Sequence, residues 1–294
     1  MNNEQRKWFY LVVLSLIWGS SYILIKKGLE GLNPIQLGGV RIIFSTAFLA
    51  VVGLRSVKKI KRSEWKWVAA SALCGTFIPV FLFAYAETEI DSAIASILNS
   101  LVPLFTIIIG FVVFKIRTFW SQVIGVLLGL AGAGVLIFQG AKVNPDQNYF
   151  YTLLVVLAAL MYAINANIIK SKLQKMPAMA IATGSFLLML PAAIALTVYS
   201  FLPFAGGSEE LPSRFWSSVG YVGVLSVFGT GLAKIMFNRL IQISTPVFST
   251  SVTYLIPVVG IFWGVLDGEK FTFIQVAGAL IILMGVYLVN RGRK

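Results

Sequence analysis

Two basic side chains interrupt stretches that are otherwise apolar: Arg41, in Gly39-Val40-Arg41-Ile42-Ile43, and Lys234, in Leu232-Ala233-Lys234-Ile235-Met236. A charge inside an apolar helix is costly unless it faces protein or a water-filled cavity. Arg41 has two roles open to it: tying carbonyls or a hydroxyl on a neighbouring helix, or gripping a substrate carboxylate. Lys234 either reaches water along its stem, roughly 7.5 Å from the end of its helix at about 1.5 Å per residue, or stands in a cavity and attracts a carboxylate or phosphate. This is binding chemistry rather than bond-making. The chain has no His and one Cys, Cys74, and no pair of acids falls at mid-span. Nucleophilic, metal-assisted and acid–base catalysis therefore lack their usual groups, and neither a cofactor nor a metal site is expected. Glu87, Glu89 and Asp91 cluster at the end of one stretch. They read as a solvated outer loop, with cation attraction or proton carriage as the alternative.

The uncharged polar residues fall into stripes. Ser92, Ser96, Asn99 and Pro103 recur at helical spacing, and Pro246, Thr250, Thr253 and Pro257 repeat the pattern with Tyr254 alongside. A proline within a helix removes one backbone hydrogen bond and frees a carbonyl, so Pro103 and Pro257 are expected to bend their helices and act in gating. Trp18, Ser21 and Tyr22 share one face, and Trp18 lies about 15 Å into its segment, too deep for an interfacial anchor. Asn165 and Asn167 stand where aliphatic residues are usual; Asn165 is read toward a cavity and Asn167 toward a neighbouring helix. The expected substrate-binding set is Trp18, Ser21, Tyr22, Arg41, Tyr85, Ser96, Asn99, Asn165, Lys234, Thr250, Thr253 and Tyr254. The opposing reading is that the hydroxyls and amides merely join helices, at about 1 kcal/mol or less each. Gly125, Gly129, Gly132 and Gly134, with Gly278 and Gly285, suit close helix contact or a homodimer seam.

These residues must be positioned by membrane helices. Of 294 residues, 58% are apolar and 12% charged, and the mean hydropathy is +0.86. One water-soluble core could not bury that surface, so lipid is part of the solvent. Ten segments match the length of about 20 residues that a spanning helix needs: 8–25, 35–54, 67–86, 92–114, 119–138, 149–169, 178–201, 215–237, 244–266 and 271–289. The first follows Arg6 and Lys7 as a signal sequence would, but no small-residue cleavage site follows it, so it is read as retained.

The net charge of +13 would suggest nucleic acid in a soluble protein. Its distribution gives another answer. Arg6, Lys7, the basic run from Arg55 to Lys66, Lys115, Lys170, Lys172, Lys175, Arg239 and Lys294 all fall on one side, against Lys26, Lys27, Lys142, Arg214 and Lys270 on the other. By the positive-inside rule both termini are cytoplasmic, and nucleic acid is not a partner. The absence of any Asn-x-Ser/Thr sequon agrees with a cell inner (plasma) membrane.

The two halves match in order. Trp18 and Lys26 correspond to Tyr162 and Lys170, Pro34 to Pro177, Gly75-Thr76 to Gly229-Thr230, Pro103 to Pro257, and Gln122 and Gly125 to Gln275 and Gly278. The expected fold is all-α: ten transmembrane helices arranged as two five-helix repeats, 1–143 and 144–294, around a central cavity. Five is odd, so the second repeat enters the membrane inverted, which provides a basis for alternating access.

Leu16-Ile17-Trp18-Gly19-Ser20-Ser21-Tyr22 followed by Lys26 resembles the first-helix motif of EamA-type members of the drug/metabolite transporter superfamily. Arg41, Pro103, Pro257 and Asp267-Gly268-Glu269-Lys270 are similar to other signatures of that family, over essentially the whole chain. Phe114-Lys115-Ile116-Arg117 departs from it, because the first half lacks the paired acid. The resemblance implies a ten-helix secondary transporter of small metabolites. Within that class amino acids or related carboxylates suit the residues; a phosphorylated-sugar or nucleotide-sugar carrier, or a non-transporting scaffold or signalling protein, is the alternative.

Overall fold

The computed structural model describes residues 2–90, 92–116, 119–143, 148–205, 210–266 and 273–291. Asp91, Arg117 and the Asp267-Gly268-Glu269-Lys270 motif lie outside them. Among the described residues every regular element is helical: α1 Asn3–Gly19, α2 Ser21–Leu29, α3 Pro34–Val57, α4 Trp65–Ala72, α5 Ile78–Ala86, α6 Ser92–Leu98, α7 Val102–Val112, α8 Trp120–Val143, α9 Thr152–Lys172, α10 Ala178–Ala205, α11 Phe215–Val224, α12 Ala233–Ile243, α13 Pro246–Thr250, α14 Val252–Leu266 and α15 Phe273–Arg291. Six continuous helical stretches are long and apolar enough to cross a membrane: Asn3–Leu29, Pro34–Val57, Arg62–Ala86, Thr152–Lys172, Ala178–Phe204 and Phe215–Ile243. Shorter apolar stretches, Asn99–Val112, Trp120–Gly132 and Pro246–Val259, add to these.

Lipid as solvent is visible in what remains uncovered. Val51 and Phe273 are each 87% exposed and Trp120 is 81% exposed, a surface that water would not tolerate over a whole bundle. Starts are set by side chains. Asn2 and Asn33 each accept from the backbone N–H three residues on, while Gln5 and Gln36 reach back to the cap N–H, closing a capping box at α1 and α3.

The breaks also have local causes. Ser20 and Ser21 bond back to the carbonyls of Leu16 and Ile17, both at 2.8 Å, where α1 passes into α2. Between α4 and α5, Leu73–Phe77 is a π-helical turn, followed by Pro79, which has no N–H to give the carbonyl of Gly75. Leu225–Leu232 is a second π-helical segment, between α11 and α12. Asn99–Leu101 forms a 3-10 turn between α6 and α7. Pro103 is thus seated in the first turn of α7, where a missing N–H costs little; Pro257 lies inside α14.

The long helices pair. α3 lies along α10 and α8 along α15, while α14 packs on α1 and α9 is packed by α5 and α7. A Cβ at Gly285 would fall 2.5 Å from the Gly125 carbonyl oxygen and 2.7 Å from the Gly129 nitrogen. This part of the glycine series is therefore used within the chain, where α15 meets α8.

Candidate solute-binding cavity

Helices from both halves of the sequence line a cavity of about 830 Å³, counting the space open at its mouth. Its organic wall is Trp18, Tyr22, Phe83, Tyr162 and Phe237 with Ile25, Val80, Val102 and Ile256. Trp18 meets Phe237 edge-on at 5.0 Å between ring centroids, and Tyr22 meets Phe83 at 5.9 Å. Phe237, with Trp18 packed beside it, also joins an apolar cluster that includes Leu11, Leu14, Ile169, Leu173, Leu240 and Phe248.

The polar wall is built on the two π-helical turns. Each carries a Gly-Thr pair, and in each the altered bonding releases the glycine carbonyl. Gly75 loses its partner to Pro79, and its oxygen accepts from Lys234 Nζ at 2.7 Å. The N–H of Ala233 turns to the Phe228 and Thr230 carbonyls, and the Gly229 oxygen accepts from Trp18 Nε1 at 3.0 Å. The exchange is reciprocal: a side chain of each half serves a released carbonyl of the other. π-Turns are frequent at functional sites because they open the helix locally in this way.

Arg41 donates through Nε to Thr230 Oγ1 at 2.7 Å; among the described residues its two terminal nitrogens have no hydrogen-bond acceptor, and it lines the cavity. Lys234 does not snorkel; it is 6% exposed, and its ammonium stays on Gly75. No acid lies among the cavity-lining residues. Thr76 Oγ1 and Asn99 Oδ1 are buried without hydrogen-bond partners among the described residues, and both residues line the cavity. Asn165 lines it too, holding Ser71 through its Oδ1 at 2.6 Å.

Of the residues expected from sequence, Trp18, Ser21, Tyr22, Arg41, Asn99, Asn165, Lys234, Thr250 and Thr253 meet at this cavity. Others lie elsewhere. Tyr85 is 40% exposed on the outer surface, and Ser96 is buried away from the lining. Tyr254 is fully buried with its hydroxyl toward the Val126 carbonyl and its ring over Gly129. Pro103 and Pro257 are buried in their helices, outside the lining. Asn167 bonds the Thr106 and Ala163 carbonyls, a packing role. The polar lining residues not foreseen as site residues are Thr76, Thr230 and Tyr162. All three had surfaced in the match between halves, as the two Gly-Thr pairs and the partner of Trp18.

A further expectation is corrected. Glu87 is not solvated: it is 9% exposed, accepts from Ser92 Oγ at 3.1 Å through Oε2, and keeps Oε1 buried without a partner among the described residues. It sits one residue past α5, outside the span. Burial pushes its carboxyl up to about 8, against the opposing pull of the Ser92 hydroxyl, Arg41 and Lys26. Glu89 is exposed, as the loop reading required.

The described residues thus form a multi-pass helical bundle with an aromatic cavity whose described lining carries two cations and no acid. The chain belongs to the EamA-like transporter family, whose model matches residues 6–138 and again residues 150–291. It is similar to the uncharacterized inner membrane transporter YedA of Escherichia coli K12, at 28% identity over 96% of this chain and 90% of that one. A probable amino-acid metabolite efflux pump of Salmonella typhimurium LT2 is 26% identical over 95% and 93% of the two chains. A solved crystal structure superposes with a TM-score of 0.73 over 97% of this chain and 98% of the other, at 18% identity, a likeness of fold.

Proposed function

We propose that this protein is a secondary transporter of amino acids or related carboxylates, working by alternating access in the inner membrane with both termini cytoplasmic. The observation that carries the substrate class is the cavity charge. Arg41 and Lys234 both line the cavity, and among the described residues no acid shares that lining. The free edge of the Arg41 guanidinium suits a carboxylate, and the aromatic wall suits an organic body. The name of the Salmonella relative supports the same class.

Alternating access is supported by the double match of the family model, by the pairing of α3 with α10 and α8 with α15, and by the reciprocal bonds at Gly75 and Gly229. We read the halves, 1–143 and 144–294, as inverted repeats that rock about the cavity.

Counterflow in proteoliposomes tests this, with separate arms for amino acids, carboxylates without an amine, amines and sugar phosphates. Exchange of carboxylates is expected. Arg41→Gln should lower it roughly tenfold or more, the loss of one charge-assisted hydrogen bond of about 1.5–3 kcal/mol. Gly134→Ala is the control, since none of the described residues lies within 4 Å of its added Cβ. Exchange confined to sugar phosphates would move the substrate to the phosphorylated class, and carboxylate flux indifferent to Arg41→Gln would remove Arg41 from the site.

A further inference from the structure

Glu87 is a buried acid that carboxylate binding leaves without a role. It stands where α5 turns toward α6, held by one hydroxyl, with Oε1 lacking a partner among the described residues. The groups close enough for their charge to act on it are positive or phenolic: Lys26 and Tyr22 from α2 and Arg41 from α3, with Tyr162 of α9 acting in turn on Tyr22 and Arg41. On its own loop Glu89 points to the surface.

A carboxylate so desolvated keeps its charge only by the field of nearby cations. An anionic group that settles on Arg41 draws on the same field. Two negative charges then compete for one guanidinium, and a proton from water on a Glu87 oxygen ends the competition. Linkage makes the effect reciprocal: a proton on Glu87 tightens the hold of Arg41 on the anion by the same factor.

We propose that Glu87 is a proton-binding site coupled to the cavity, holding its proton more tightly as an anionic solute settles on Arg41, so that proton and anion cross together. The proton rides on a carboxylate oxygen, and no bond in the solute breaks. The proposal rests on Arg41 being the anion site.

The test begins without any solute. Infrared spectra of the full chain in nanodiscs follow the C=O stretch of protonated carboxyl groups as pH rises, for the wild type, Glu87→Gln and Arg41→Gln. A band that persists past neutrality in the wild type and is missing in Glu87→Gln is expected. Removing the Arg41 charge imitates the arriving anion, so in Arg41→Gln the band should persist to a pH about one unit higher or more. Lys26→Gln should shift it the same way and serves if Arg41→Gln does not fold. A band that disappears in the ordinary glutamate range, or one that ignores both charge removals, overturns the proposal.

The second arm uses liposomes holding a pH dye and the amino acid that is active in counterflow. Wild type should acidify the lumen as solute enters, while Glu87→Gln moves solute without acidification. Equal acidification by both overturns the coupling. Failure of carboxylate counterflow with the infrared shifts intact would instead strike at the substrate reading alone.

Discussion

Glu87 carries a signature in stability as well as in transport. An ordinary glutamate binds its proton near 4.3, whereas the folded chain holds that proton up to about 8. The folded state thus binds the proton more tightly than the unfolded one. The stabilising contribution is complete below the ordinary range and is lost as pH rises through about 8. Melting of the wild type in nanodiscs should therefore fall between about pH 5 and 9 relative to Glu87→Gln; parallel profiles would show that Glu87 is not the group responsible. At this scale the sequence exposes the charges and leaves their partners hidden. Arg41 and Lys234 stand out because an apolar helix surrounds them. That Lys234 meets the Gly75 carbonyl depends on Pro79, four residues on, and on a helix in the other half. Tyr254 and Tyr85 show the other limit: spacing tells which residues share a face, and only packing decides whether that face meets solute, lipid or Gly129.

Among the helices, the π-turns fit closely against their neighbours. A Cβ at Gly75 would stand 2.5 Å from the Asn165 amide, and one at Gly229 would stand 2.6 Å from Ser21 Oγ. Gly75→Ala should lower both melting temperature and flux, because the buried amide has little room to withdraw. In the double variant with Asn165→Ala the clash is gone; stability should recover in part while flux stays low, a non-additive pair in a double-mutant cycle. Additive stability losses would mean that the two residues do not press on each other. The caps at Asn2 and Asn33 follow a local signal, Asn-x-x-Gln before an apolar run, that the expected spans did not use. The π-turns carry no such signal, because Gly-Thr in an apolar stretch reads as ordinary helix until the neighbouring side chain that uses the released carbonyl is known.

Over the whole molecule, a chain of many apolar helices was legible in composition and run length, and six of the ten expected spans are long and apolar enough to cross a membrane among the described residues. Which helices pair was not, since lipid-facing and helix-facing apolar residues look alike in sequence. The α8–α15 contact shows the difference. Gly285→Leu drives a side chain into the backbone of Gly125 and Gly129, so it should lower the melting temperature markedly, while Gly134→Ala leaves it unchanged; equal effects would place the close contact elsewhere. Gly129→Ala is no neutral control, since its Cβ would fall 2.7 Å from the Tyr254 ring. Orientation is open to labelling, because Cys74 is the one cysteine in the chain. In a Cys74→Ser background, a membrane-impermeant maleimide on intact cells should label Glu210→Cys and spare Asn2→Cys. The opposite pattern would invert the topology.

The crossed bonds at the two glycine carbonyls also set an order on synthesis. Trp18 bonds a carbonyl 211 residues downstream, and the partner of Gly75 arrives 159 residues later. While the ribosome is still making the second half, the first lies in the bilayer with an indole N–H and a proline-freed carbonyl unmatched, each needing water or a chaperone in place of its partner. The nascent first half is an incomplete folding unit, and assembly closes only when the helix bearing Lys234 is inserted.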